Sequence, residues 1–418
     1  MTAGSAAGLR AELGRLGRLR FALLFAIAAV SVAWLAAGLL NSWSWHPPGF
    51  VNAGGANIGR DFVALWSAAG LALSGAPAAG YDQALIHGVE QTAIGAPVGL
   101  ITWHYPPSFL MLVLPLALLP YPAAAALWVA GTFAAFVLLL RRVAPHPLAM
   151  LAALIFPATA QCLISGQNGA YSAALIAGGL LGLERQPILS GLCWGLLAYK
   201  PQMAAAAFAA LAFGRYWRTL GIAVAVAAAL ATASLAVLGL EPWLAFLRGL
   251  GEARAMLEAG RVPWDRMATV FASARLGGLG VTASYALQVA VALAALAMLA
   301  QVWWRRAPMA LAGSVLVLGI PLTTPYAYDY DLVMLLLPLA WLAQEARATG
   351  FRRGEAALLI AAWVVPVAGK LIAEATTLQP TWLVLLLLLV TTWRRAEKGK
   401  VHHGGTEDTE NAVAQQSR

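Results

Sequence analysis

The sequence predicts an all-α, multi-pass integral membrane protein. Its apolarity, the length of its apolar runs and the placement of its basic residues carry that prediction. Of 418 residues, 61% are hydrophobic and 11% charged, and mean hydropathy is +0.74. A soluble domain carries about 25% charged residues. A chain this apolar cannot hide its side chains in one aqueous core, so lipid must be the solvent. The net charge of +9 does not read as a nucleic-acid footprint, because the basic residues fall in short clusters between apolar runs, where topology signals belong. Cys162 and Cys193 sit inside apolar runs and read as small apolar filler, implying neither a disulfide framework nor a zinc site.

Arg10, Arg15, Arg18 and Arg20 precede an apolar run from Phe21 to about Leu40. That run is long enough to span, whereas a cleaved signal peptide has a shorter core, so it reads as a retained first helix and signal anchor. An outer segment follows, about 41–121. In it, the stretch DFVALWSAAGLALSG places Phe62, Leu65, Trp66, Ala69 and Leu73 on one helical face, with Asp61 at its head. The expectation is an amphipathic helix lying in the interface plane. The run 105–119 opens on Tyr105-Pro106-Pro107 and closes near Pro115 and Pro120, a poor straight span, and is expected to be re-entrant or interfacial.

Further runs lie at 122–140, 147–164, 169–183, 187–199, 201–214 and 219–239. After a second outer segment, about 240–282, come 283–302, 308–322, 331–345, 355–373 and 380–393. The runs 187–199 and 201–214 are too short to span ~30 Å and read as a hairpin with Lys200-Pro201-Gln202 at its tip. If 105–119 does not cross, Arg141/Arg142, Arg185, Arg215/Arg218, Arg305/Arg306, Arg347/Arg352/Arg353 and Arg394/Arg395 all fall on the side of the N-terminal arginines. The expectation is about twelve crossings, both termini cytoplasmic, a membrane domain over 1–393 and a disordered cytoplasmic tail over 394–418. Gly178/Gly182 and Gly191/Gly195 have the small-xxx-small spacing of closely packed helices.

On this topology the unusual polar residues share the non-cytoplasmic face: Asp61 and Asp82, Gln167 and Asn168 in SGQNGA, Lys200 in GLLAYKPQ, Asp329 and Asp331 in TTPYAYDYD. Ionisable groups near membrane depth cost roughly 2.5–3.5 kcal/mol each, so they usually have a function. Asp61 suits a general base toward a hydroxyl, and equally a helix N-cap. Lys200 suits a lipid phosphate, and equally a snorkelling lysine. Asp329 and Asp331 suit a polar site or helix caps, Gln167-Asn168 a site or a turn, and Tyr326, Tyr328 and Tyr330 an interfacial aromatic belt. His46, His87 and His104 match no metal-ligand spacing, so no metal is expected. The glycines of VNAGGANIGR follow no strand and are not a dinucleotide fingerprint.

Five blocks in order, GRDFVALWSAAGLALSG followed by Tyr81-Asp82, HYPPSFLMLVLPLALLPY, SGQNGA, GLCWGLLAYKPQ and TTPYAYDYD, resemble the polyprenyl-phosphate-mannose-dependent mannosyltransferases of glycosyltransferase family 87, within the GT-C superfamily. The resemblance implies a GT-C-like multi-helix fold with its active site on the non-cytoplasmic face of the cell (inner) membrane. It implies inverting transfer of a hexose, mannose by the family's habit, from a polyprenyl-phosphate sugar to a glycan or glycolipid acceptor, with no cofactor. By position it makes Asp61 catalytic and puts Lys200, with Gln202 and Tyr105, near the donor phosphate. Tyr81, Asp82, Gln167, Asn168, Tyr326, Asp329 and Asp331 are further polar site candidates. Two departures from the pattern stand out. Phe62 follows Asp61 where many GT-C enzymes pair two acids, and Leu65 replaces an expected tyrosine before Trp66. Rival readings are a secondary transporter, against which no duplicated halves are found, and an outer-face ligase or polymerase of lipid-linked glycans.

Overall fold

The computed structural model describes residues 25–398 apart from 27 and 146, so the N-terminal arginines and the tail beyond 398 lie outside the described residues. Those described form eighteen α-helices and no β-strand. They are α1 Ala28–Trp43, α2 Phe62–Leu73, α3 Gln83–Ile94, α4 Pro107–Val113, α5 Tyr121–Val143, α6 Pro147–Ile155, α7 Pro157–Ser165, α8 Gly169–Gly182 and α9 Pro187–Leu196. Then follow α10 Pro201–Phe213, α11 Trp217–Leu238, α12 Glu241–Glu258, α13 Val270–Leu276, α14 Val281–Trp304, α15 Met309–Leu322, α16 Leu336–Thr349, α17 Glu355–Thr376 and α18 Thr381–Lys398. Proline opens seven of these, α4, α6, α7, α9 and α10 at the first residue and α5 and α12 at the second, where its missing N–H costs nothing. Helix α18 carries on through Arg394 and Arg395, past the point where the sequence suggested the chain leaves the membrane domain.

Four helices, α5, α11, α14 and α17, are long and apolar enough to cross a membrane. Their outward faces are apolar too: α11 exposes Trp217, Val224, Leu235 and Val237. Such a surface is a liability in water and a match for lipid. The glycine spacing does what it suggested. Gly178 meets Cys193 and Gly182 meets Ser190, seating α8 on α9, while Gly191 meets Ile222 and Gly195 meets Val226, seating α9 on α11.

Two expectations change. Helix α2 does not lie as an amphipathic rod on an interface. Phe62, Val63, Ala64, Leu65, Ser67, Ala68 and Ala69 are all buried, because α3, α4, α5 and two 3-10 turns surround it. The face opposite Phe62 and Leu65 carries Ala64, Ser67, Ala68 and Leu71, small or apolar residues on which neighbours can close. The expected hairpin at 187–214 is also more open than a simple pair. Its first arm ends in a 3-10 turn, Leu197–Tyr199; α9 then packs on α8 and α11, and α10 on α14 and α15. The run 105–119 folds as α4 followed by the 3-10 turn Leu114–Leu118, together ~20 Å long and short of the bilayer's ~30 Å.

Candidate active site

Most of the polar residues singled out above, Asp61, Gln167, Asn168, Lys200, Asp329 and Asp331 among them, meet where loops join the helices. The centre is the turn Gly166-Gln167-Asn168 between α7 and α8. Gly166 has φ +62, and a Cβ there would lie 2.4 Å from the Gly59 carbonyl oxygen. A Cβ on Gly169 would lie 2.0 Å from the Tyr330 carbonyl oxygen. Only glycine lets this turn wedge between the chain entering α2 and the chain leaving α15. That is the physical content of SGQNGA.

The wedge positions Asp61. Its backbone N–H donates to the Ser165 carbonyl at 3.0 Å, and its Oδ2 accepts from Gln167 Nε2 at 2.9 Å. Asp61 stands at the N-cap position of α2 but its side chain makes no cap bond. The cap alternative therefore fails for Asp61 and holds for Asp82, whose exposed carboxylate accepts from the Ala84 and Leu85 N–H groups at 2.9 and 3.0 Å. Burial raises the Asp61 pKa; the bond from Gln167 and the charges of Arg266 and Arg60 offset part of that rise. A raised pKa strengthens a carboxylate as a base. Arg60 itself is held at φ 34, a conformation a non-glycine residue adopts only under constraint from its surroundings.

Asn168 links the next layer. Its Nδ2 donates to the Tyr105 hydroxyl at 2.6 Å, and its carbonyl accepts from Tyr199. Tyr81 donates to the Tyr105 carbonyl at 2.7 Å. Tyr199 stacks on Phe109 with ring centroids 4.3 Å apart, and Tyr105 lies 6.0 Å from Tyr199. Tyr105 is thus a wall of the site held by side-chain and backbone bonds at once.

Lys200 follows Tyr199. It is buried, its ammonium lies 2.5 Å from Asp331 Oδ1, and it faces the rings of Tyr199 and Tyr330. Gln202 lies in the first turn of α10, two residues on. Asp329 and Asp331 open a 3-10 turn, Asp329–Leu335, rather than an α-helix, and each takes a different cation. Asp331 takes Lys200; Asp329 takes Arg266 through a two-pronged contact, both distances 3.0 Å. Asp331 also accepts the Tyr328 N–H at 3.1 Å. Tyr328 stacks on Tyr330, and Tyr326 meets Tyr328 edge-on, so these tyrosines form one cluster rather than a belt.

Arg266 is the residue that sequence reading missed. It sits in the 3-10 turn Trp264–Arg266 of the second outer segment, which the Ala268 N–H ties to the Ala327 carbonyl at 2.9 Å. Nothing in its local sequence separates it from Arg248, Arg254, Arg261 and Arg275. The histidines do not converge: His87 Nε2 bonds the Val98 carbonyl at 2.8 Å, His104 meets Thr102 at 2.6 Å, and His46 is exposed.

The chemistry of this arrangement is that of a proton acceptor among cations. Of the four acids singled out, Asp82 caps a helix and Asp329 and Asp331 are ion-paired; Asp61 is held by a neutral amide and stays partly open to solvent. No curated protein and no solved structure matches the chain. The profile of glycosyltransferase family 87 matches residues 103–325, more than half the chain, covering Tyr105, Gln167, Asn168, Lys200 and Arg266, while Asp61 joins them through its bond to Gln167. The chain belongs to glycosyltransferase family 87.

Proposed function

We propose that this family 87 glycosyltransferase moves a hexose, mannose first among those to try, from a polyprenyl-phosphate donor to an acceptor hydroxyl with inversion. The reading puts about twelve crossings in the inner membrane, both termini in the cytoplasm, and the cluster around Asp61 on the other face, toward the cell envelope. The observation that carries it is the hold on Asp61: a neutral amide positions the carboxylate, and among the described residues no cation forms an ion pair with it.

In the proposed step Asp61 takes the proton from the acceptor hydroxyl as that oxygen bonds the anomeric carbon. The bond from that carbon to the phosphate oxygen breaks, and its electron pair stays with the phosphate. One displacement inverts the anomeric centre. Positioning two substrates turns a two-body encounter into a local step. Fixed cations offset the charge building on the departing phosphate.

The test is purified protein in detergent with a panel of polyprenyl-phosphate sugars and glycan or glycolipid acceptors, the product's anomeric configuration read by NMR. Inverted product from a monosaccharide-phosphate lipid supports the reading. Transfer only of a long lipid-linked chain would move it to a ligase or polymerase. Retained configuration would remove Asp61 as base in a single displacement.

A further inference from the structure

Two cations in the cluster are candidates to meet the donor phosphate, and their surroundings differ. Lys200 lies between two tyrosine rings and against Asp331, its side chain 5% exposed. Its ammonium keeps donors beyond the one Asp331 takes, but burial between the two rings restricts a phosphate's access to them. Arg266 is built otherwise. Its side chain is 23% exposed, and Asp329 takes only Nε and Nη2. A guanidinium has five N–H donors in a planar fork. Among the described residues no hydrogen bond engages Nη1, so this side chain, partly exposed, keeps donor capacity beyond Asp329.

Three features pre-set the orientation of that guanidinium. Asp329 holds one edge, and the Tyr330 N–H in turn holds Asp329 Oδ1 at 2.8 Å. The loop carrying Arg266 pairs with the Ala327–Tyr328 backbone, and Gln379 Nε2 holds the Asp265 carbonyl at 2.6 Å. Arg266 also lies close enough to Asp61 for its charge to act on that carboxylate. Geometry joins the two through one chain of contacts: Gln167 holds Asp61, Gly169 two residues on packs against the Tyr330 carbonyl, and the neighbouring Asp329 holds Arg266.

Resting on the polyprenyl-phosphate donor reading, we propose that Arg266, and not Lys200, binds the donor phosphate and holds it as it departs. The Lys200–Asp331 pair then serves as a structural tie between the α9–α10 break and the turn before α16.

The experiment measures affinity of the detergent-purified protein for a polyprenyl phosphate carrying no sugar. Removing Arg266 alone would strand Asp329, so the variant is Arg266→Gln with Asp329→Asn, which removes both charges and keeps hydrogen-bonding groups. Its affinity should fall roughly 10- to 100-fold, the scale of a charge-assisted contact. Arg266→Lys should recover part of it, and Asp329→Asn alone, which keeps an acceptor for the guanidinium but removes the competing negative charge, should tighten binding. Lys200→Met with Asp331→Leu should bind near wild type. Binding that survives loss of Arg266, or that falls in the Lys200 pair, overturns the assignment. A wild-type enzyme that transfers sugar yet binds no polyprenyl phosphate would instead break the donor reading, and this assignment with it.

Discussion

Two guanidiniums grip carboxylates with two prongs at opposite ends of α17, and they are built for different ends. Near the start of the helix, Arg395 donates to both oxygens of Glu355 at 2.8 and 2.6 Å, to Thr349 Oγ1 at 2.5 Å and to the Gly350 carbonyl at 2.8 Å. Every nitrogen is engaged, and the side chain is 4% exposed. About 30 Å away by helical rise, the other end of α17 packs on the turn carrying Arg266, where Lys370 lies 4.0 Å from Asp265. There the guanidinium keeps a donor that no described residue takes, and Asp61, held by a neutral amide, makes no ion pair among the described residues. A polar group whose hydrogen bonds are all satisfied internally supports the fold. One held firmly but incompletely is available to a substrate.

The comparison breaks if either end behaves like the other. The largest effect is expected at Asp61. Asp61→Asn can still accept from Gln167 but cannot take a proton, so turnover should drop about 10²–10⁴-fold. The thermal midpoint in detergent should stay at the wild-type value. Well-folded Asp61→Asn protein with near-normal turnover would pass the base role to another acid. Arg395→Ala should do the reverse. It strands Glu355 without its buried partner, at a cost of about 3–5 kcal/mol in stability, while the fraction that stays folded keeps its turnover. Lost turnover in folded Arg395→Ala protein would mean that the two ends are coupled.

How much of this was legible in the sequence follows the same division. Gln167, Lys200 and Asp331 stood out because polar residues interrupt apolar runs there, and the structure brings them into one cluster. The glycines at 178, 182, 191 and 195 were legible because helical spacing alone puts them on one face. Arg266 was hidden. It is one of several arginines in a polar segment, and its partner Asp329 is 63 residues away, a separation no local pattern reports. Helix α2 misled because Phe62, Leu65 and Trp66 share a face while the opposite face is small or apolar rather than polar. Small residues read as neutral in a periodicity argument, yet they admit close neighbours. Asp82 is acidic and in the same segment as Asp61, and its local sequence does not tell apart from a site role the cap it forms on α3.

A third buried charge lies between the two types. Glu90 on α3 is buried, its Oε2 accepts the Ile101 N–H at 3.2 Å, and its Oε1 has no partner. Burial raises its pKa from 4.5 to about 7, with the Ile101 bond and neighbouring His87 offsetting part of the rise and Asp61 adding to it. The folded state therefore binds this proton more tightly than the unfolded chain does. The stabilisation is complete below pH 4.5 and is lost as pH rises through about 7. The swing should be at most about 3 kcal/mol. Thermal midpoints across that window should fall with pH in wild type and flatten in Glu90→Gln. Parallel profiles for the two proteins would show that Glu90 ionises without penalty.

The smallest effect is expected at Asp82, and it separates a cap from a catalytic acid. Asp82 lies in the same outer segment as Asp61, immediately after Tyr81, whose hydroxyl holds the Tyr105 carbonyl. Its carboxylate is exposed and accepts the two N–H groups that begin α3. Asn is as good an N-cap as Asp, so Asp82→Asn should be silent in stability and in transfer. Asp82→Ala leaves those N–H groups to water and should cost about 1 kcal/mol of stability. Its turnover should match wild type, because α3 stays seated through buried Ile86 and Ile94. The pair of variants is informative because the same exchange at Asp61 gives the opposite pattern, a stable protein that does not turn over. Loss of transfer in a fully folded Asp82→Asn protein would place a second acid at the sugar and reopen the assignment of the base.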